Sequence, residues 1–209
     1  MLVLANAHSC LAFSHYIAVD LGSLHPVAGS IHSDKKVELG HRLALAASAG
    51  VYGNKATIWQ GGHAPTATTS SSSVTVTFTL DQGAGGISLN ASAACPTQMA
   101  AQNGVYCTGG GFELHSSATG NWSLASRVSL GQDGRSVVLA LPSSSDEDQH
   151  QHRAGTVDRV RYAYADWPVV SVRNQIGGLP ARLFDVPVVA SGGGGVLEAP
   201  LLTGGGSAP

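Results

Sequence analysis

The chain has 209 residues, and a compact chain of that length buries about 70% of its unfolded surface, enough for a core without staples. Only 11% of residues are charged, against about 25% in ordinary domains, while glycine reaches 27 residues. A net charge of −2 with pI near 6.5 excludes an electrostatic footprint for nucleic acid or an anionic membrane. No apolar run reaches the roughly 18 residues of a spanning helix. The expectation is a neutral, soluble, β-rich protein with polar insertions.

In chain order, the opening MLVLANAHSCLAFSH lacks a basic n-region and is broken by Asn6 and His8, so it makes a poor signal peptide. Residues 15–21, HYIAVDL, read as a short buried strand with β-branched Ile17 and Val19 and with Asp20 emerging at its end. After a Gly/Pro loop, Ser33 reads as the N-cap of a helix with Asp34 in its first turn. Leu39, Leu43, Ala46, Ala47 and Gly50 follow along one face, and Gly50 or Gly53 ends it. Residues 1–53 thus spell strand, loop and helix, one piece of an α/β layer. Residues 54–73 read as a linker because they contain the polar tract TATTSSSS.

From residue 74 the period changes to two. VTVTFTL alternates strictly, and short strand candidates recur at 87–89, 112–114, 128–130, 136–141 and 157–164, separated by glycine-bearing turns. That pattern predicts an antiparallel β-sandwich over 74–189. Residues 143–155 read as a polar insertion and 190–209 as a disordered Gly-rich tail.

Candidate chemistry is sparse. Five of the nine histidines fall within the first 41 residues, but only His150 and His152 have ligand-like spacing, in an acidic loop, so no metal site and no cofactor is expected. His32 lies between a strand and a helix, where open α/β sheets place their sites, and there it is either a general base or a helix-capping group. Asp20 and Asp34 are its nearest carboxylates. No Gly-x-Ser-x-Gly elbow, Gly-Asp-Ser or Gly-Gln-Ser occurs, so no nucleophile is presented. Of the three cysteines, Cys95 and Cys107 bracket a closable loop and fit either a disulfide or two free thiols. Asn90 and Asn121 begin Asn-x-Ser sequons, candidate N-glycosylation sites.

Three separated stretches resemble, in order, sialate O-acetylesterases and related carbohydrate acetylesterases of the Ser-Gly-Asn-His hydrolase type. They are IAVDLGSLHPVAGSIHSDKKVELGHRLALAASAGVYG, GGFELHSSATGNWSLASRVSLGQDGRSVVLAL, and VRYAYADWP followed by GGLPARLF. The resemblance implies that 1–53 are the last strand and helix of a flavodoxin-like catalytic domain, followed by the family's β domain. It implies His32 as the general base of a Ser-His-Asp mechanism on acetylated glycans, in a secreted or lysosomal setting. Relatives carry an acid two residues before this histidine. Here that position is Ser30, which leaves Asp20 as the substitute orienting carboxylate. The family's serine and oxyanion hole lie upstream of anything matched, so the chain reads as a C-terminal portion. The alternative is a non-catalytic β-sandwich module binding a glycan or a protein. Tyr162 and Tyr164 are expected to alternate inward as core rather than to stack on sugars, with Trp167 and Pro168 pinning an interface or turn.

Overall fold

The computed structural model describes residues 18–22, 34–90, 109–141, 156–164 and 168–191. Their centre is an eight-stranded mixed sheet in the order β5-β4-β8-β10-β1-β2-β7-β6, with a two-stranded sheet β3-β9 beside it. The strands are β1 His63–Thr69, β2 Ser73–Thr79, β3 Ile87–Leu89, β4 Phe112–Ser116, β5 Trp122–Leu124, β6 Arg127–Leu130, β7 Ser136–Ala140, β8 Val157–Tyr162, β9 Val172–Asn174 and β10 Phe184–Ala190. The helix among the described residues, α1, spans Lys36–Gly50.

The alternation read in VTVTFTL is realised: Val74, Val76 and Phe78 of β2 point into the core while the threonines face out. The sheet curls so that Phe78, Phe112, Tyr162 and Phe184 meet. Tyr162 lies 4.5 Å from Phe112 and 5.7 Å from Phe184, and Phe184 lies 5.9 Å from Phe78 in an edge-on arrangement. Gly62 gives Phe78 this room, because a Cβ there would stand 2.6 Å from the Phe78 ring. Ile87 of β3 and Val172 of β9 are fully buried, so the small sheet joins the same core.

Several expectations are corrected. Instead of a purely antiparallel sandwich, one sheet curls over, and its β1/β10 pair is parallel, with Ala67 opposite Val188. The 54–73 linker contains β1, which pairs with β10 on one side and β2 on the other. Its threonines favour a pleated strand, and only 70–72 form the turn. Within the expected strand 15–21, the described residues 18–21 instead make a turn closed by the Leu21 N–H donating to the Ala18 carbonyl at 2.9 Å. The flavodoxin-like remnant is thus, among the described residues, a turn and a helix without a strand.

The helix stands where the periodicity placed it, but its entry and its face differ. Lys35 precedes it with no side-chain cap, and Ser33 lies outside the described residues. Arg42 and Ala46 are buried, while Leu43 is 46% exposed. Tyr162 is core as expected, whereas Tyr164 is 52% exposed. The residue between them, Ala163, has φ +54°, which ends the strand's alternation.

Candidate functional site

Of the two candidate catalytic residues, Asp20 lies among the described residues. The 18–22 turn carries it inward beside buried Leu21. Arg42 sits on the inner face of α1, and its Nη1 and Nη2 donate to Asp20 Oδ1 and Oδ2 at 2.5 and 3.1 Å. Arg173 reaches the same carboxylate from β9, with Nη2 at 2.5 Å from Oδ2, while its Nη1 donates to the Gly178 carbonyl at 2.9 Å. Glu38, one helical turn before Arg42, accepts from its Nε at 2.7 Å. A chain of alternating charge therefore runs Glu38, Arg42, Asp20, Arg173.

The two inner members are the most enclosed, with side chains 5% exposed for Arg42 and 8% for Asp20. Burial alone would raise the Asp20 carboxyl, but the hydrogen bonds and charges of Arg42 and Arg173 outweigh it and hold the group below the usual range. Burial likewise works to lower Arg42, and its bonds to Asp20 and Glu38 hold it above its ordinary value. Both carboxylate oxygens of Asp20 accept from guanidinium groups.

Of the other predicted site residues, Asn90 and Asn121 are described, and neither belongs to this cluster. His32, Cys95 and Cys107 lie outside the described residues, as do the second and third positions of the Asn90 sequon. Asn90 is exposed after β3, and its N–H donates to the Ser171 carbonyl at 2.8 Å. Asn121 is exposed at the turn between β4 and β5, immediately before Trp122.

A second charged cluster, missed in the sequence, covers β5, β4, β8 and β10. Arg161 of β8 makes a two-pronged pair with Glu113 of β4, Nε to Oε2 at 2.8 Å and Nη2 to Oε1 at 2.9 Å. Its guanidinium lies 4.1 Å from the Trp122 ring centre and 4.9 Å from that of Tyr164. Next along the strands, His115 Nδ1 stands 2.6 Å from Asp158 Oδ1, and Arg159 pairs with Asp185 at 2.9 Å. The sequence did hold a signal: Glu113 in one strand faces Arg161 in the next, the opposite-charge cross-strand pair of an antiparallel ladder. Trp122 has Arg161 over its ring and the His115 ring 5.0 Å away, so it serves as packing for the ion pair.

Among the described residues no group of three His, Cys, Asp or Glu side chains could hold a metal ion, and no helix is long and apolar enough to cross a membrane.

Among the described residues these elements define a mostly β fold in which a curled mixed sheet carries α1 through a charged joint. No family model and no curated protein matches the chain. Among solved structures, it is similar to the crystal structure of a carbohydrate acetylesterase from Xanthomonas citri, at 20% identity and a TM-score of 0.50. The likeness covers 80% of this chain and 31% of that protein, so the chain spans about a third of the neighbour's length. At this identity the shared feature is the fold.

Proposed function

We propose that these 209 residues are part of a carbohydrate O-acetylesterase of the Ser-Gly-Asn-His type, acting on acetyl esters of sialic acid or other glycans in a secreted or lysosomal setting. The observation that carries this reading is the fold shared with a carbohydrate acetylesterase over 80% of the chain. The three family-like stretches support it independently, because they occur in the family's order.

In this reading His32 is the general base. A serine hydroxyl attacks the acetyl carbonyl, the imidazole takes its proton, and the alcohol of the sugar leaves with that proton. Water then attacks the acyl-enzyme by the same route and releases acetate. The serine and its oxyanion donors come from residues beyond this sequence, since no serine here stands in an elbow motif.

The test is acetate release from O-acetylated sialic acid and from p-nitrophenyl acetate by the purified chain, beside His32→Ala. The expected result is no release above the His32→Ala background. Robust hydrolysis abolished by His32→Ala would place the nucleophile within the chain and keep the esterase reading. Hydrolysis indifferent to that substitution would remove His32 from the mechanism. Specific retention of a glycan by a chain without activity would favour the binding-module alternative.

A further inference from the structure

We propose that Asp20 is a positioning residue whose carboxylate, shared by Arg42 and Arg173, is the joint that fixes α1 and the 18–22 turn on the β body. Asp20 accepts from a helix on one side and from β9 of the small sheet on the other, at distances of 2.5 to 3.1 Å. The other side chains on α1 offer little in exchange: Ala46 is its other buried residue, and Leu43 and Val37 face outward. Helices in proteins are held mainly by an apolar face packed on a core, and on α1 the apolar residues beside Ala46, Leu39 and Leu45 among them, are only half-buried. Its docking is therefore concentrated in the Arg42 pair.

The arrangement is also mutually dependent. Without Asp20, two guanidinium groups would face each other across a site where Arg42 is almost wholly enclosed, and the half-exposed Glu38, on the same helix, could not tie Arg42 to the β body. Resting on the proposed role of His32, the joint has a functional meaning. In the sequence His32 falls between Gly22 and Asp34, and the turn ending at Gly22 and the helix beginning at Lys36 are the elements Asp20 ties down. Asp20 would then serve His32 through the backbone, not as the acid hydrogen-bonded to its ring. Both oxygens are already committed to cations, and a carboxylate so held is a poor partner for an imidazolium.

The experiment compares Asp20→Asn, Arg173→Gln and the double variant with the parent chain by amide hydrogen exchange. Asparagine keeps the size of the side chain and removes its charge. Each single variant is expected to speed exchange of the α1 amides at least tenfold, with β2 and β8 unchanged. The double variant should be no worse than Asp20→Asn alone, because Arg173 acts through that carboxylate. Unchanged α1 exchange in Asp20→Asn overturns the proposal, as does a multiplicative effect in the double variant. Acetate release by the longest active form of the protein gives a second readout. A positioning role predicts parallel losses of kcat/KM in Asp20→Asn and Arg173→Gln, whereas a triad acid predicts loss in Asp20→Asn alone. If a longer form that carries a serine nucleophile is inactive as well, the esterase reading fails and hydrogen exchange still decides the joint.

Discussion

Tyr162→Phe isolates a single atom in the centre of this fold. The Tyr162 ring is fully buried, stacked on Phe184 and tilted against Phe112, contacts that phenylalanine preserves. Its hydroxyl oxygen accepts the Val172 N–H at 2.9 Å, linking β8 of the large sheet to β9 of the small one. Removing the oxygen leaves that N–H buried without its acceptor. An orphaned buried donor costs about 1–3 kcal/mol, well above the roughly 0.5–1.5 kcal/mol of an average net hydrogen bond. For a chain of this size about 1 kcal/mol moves Tm by roughly 2–4 °C, so the variant should melt about 2–12 °C lower. Hydrogen exchange at Val172 should accelerate in step.

The pH dependence supplies a second signature with a defined sign. Burial pushes the Tyr162 phenol up to about 12, above its ordinary value of 10.0. Between those values the unfolded tyrosine ionises while the folded one keeps its proton. The folded state therefore holds more protons, and stability falls as pH rises, by up to about 1.4 kcal/mol per pH unit. The contribution is complete below pH 10 and is lost toward 12. The phenylalanine variant carries no such group, so the gap between the two proteins should be full at pH 8 and should narrow between pH 10 and 12. Chemical denaturation at several pH values measures it. Equal stability at pH 8 with unchanged Val172 exchange would refute the assignment of the hydroxyl as the link between the sheets.

Two glycine substitutions have opposite expected signs. Gly61→Ala would set a Cβ 2.3 Å from the Pro180 carbonyl oxygen, which is backbone and cannot swing aside. It should destabilise by about 3 kcal/mol, the upper end for overpacking, by thermal melting. Gly40→Ala, in α1 with open space around it, should instead stabilise the chain by about 0.5–1 kcal/mol. In the β6–β7 turn, Asp133 Oδ1 accepts from the N–H groups of Arg135 and Ser136 and from the Ser136 hydroxyl at 2.8–3.0 Å. Those bonds, led by the Arg135 N–H, hold its carboxyl below the ordinary 3.8. The resulting stability is present above about pH 4 and is lost as pH falls through the folded value. Asp133→Ala should cost about 0.5 kcal/mol at pH 7, because solvent screens the exposed carboxylate, and should flatten the acid limb of a pH–stability curve.

The β region was legible where apolar and β-branched residues alternate or a run is bounded by glycine. Strands β2, β3, β4, β6, β7 and β8 stand within a few residues of the positions read from the sequence. The strands that escaped notice each lack that cue. β1, HAPTATT, looks like a low-complexity tract because threonine reads as polar, although its β-branched side chain favours a strand. β10, FDVPVVA, contains Pro187, whose missing N–H discourages a strand assignment, although it pairs with Arg159 of β8 here. β5 and β9 are three-residue strands, too short to show a period: Trp122 faces His115 in a local hairpin, and Val172 faces Leu89 far away in the chain. The parallel β1/β10 pair joins the two ends of the β region. A closure of that length leaves no local trace, so the expectation of two antiparallel sheets followed naturally from hairpin spacing.

The first 53 residues show the sharper limit of reading by periodicity. Helical spacing placed α1 correctly, and on the face it selected Ala46 is buried and Leu39 and Ala47 half-buried, but Leu43 stands exposed while the structure buries Arg42. At Arg42 the rule that apolar residues mark the inner face fails because the helix meets a carboxylate there and not a core. Asp20, 22 positions from Arg42 and 153 from Arg173, turns the most polar residue of the helix into its anchor. Nothing near Asp20 in the sequence distinguishes such a residue from an acid at the end of a strand. The distinction lies in the two cations it serves, and only the fold brings them together.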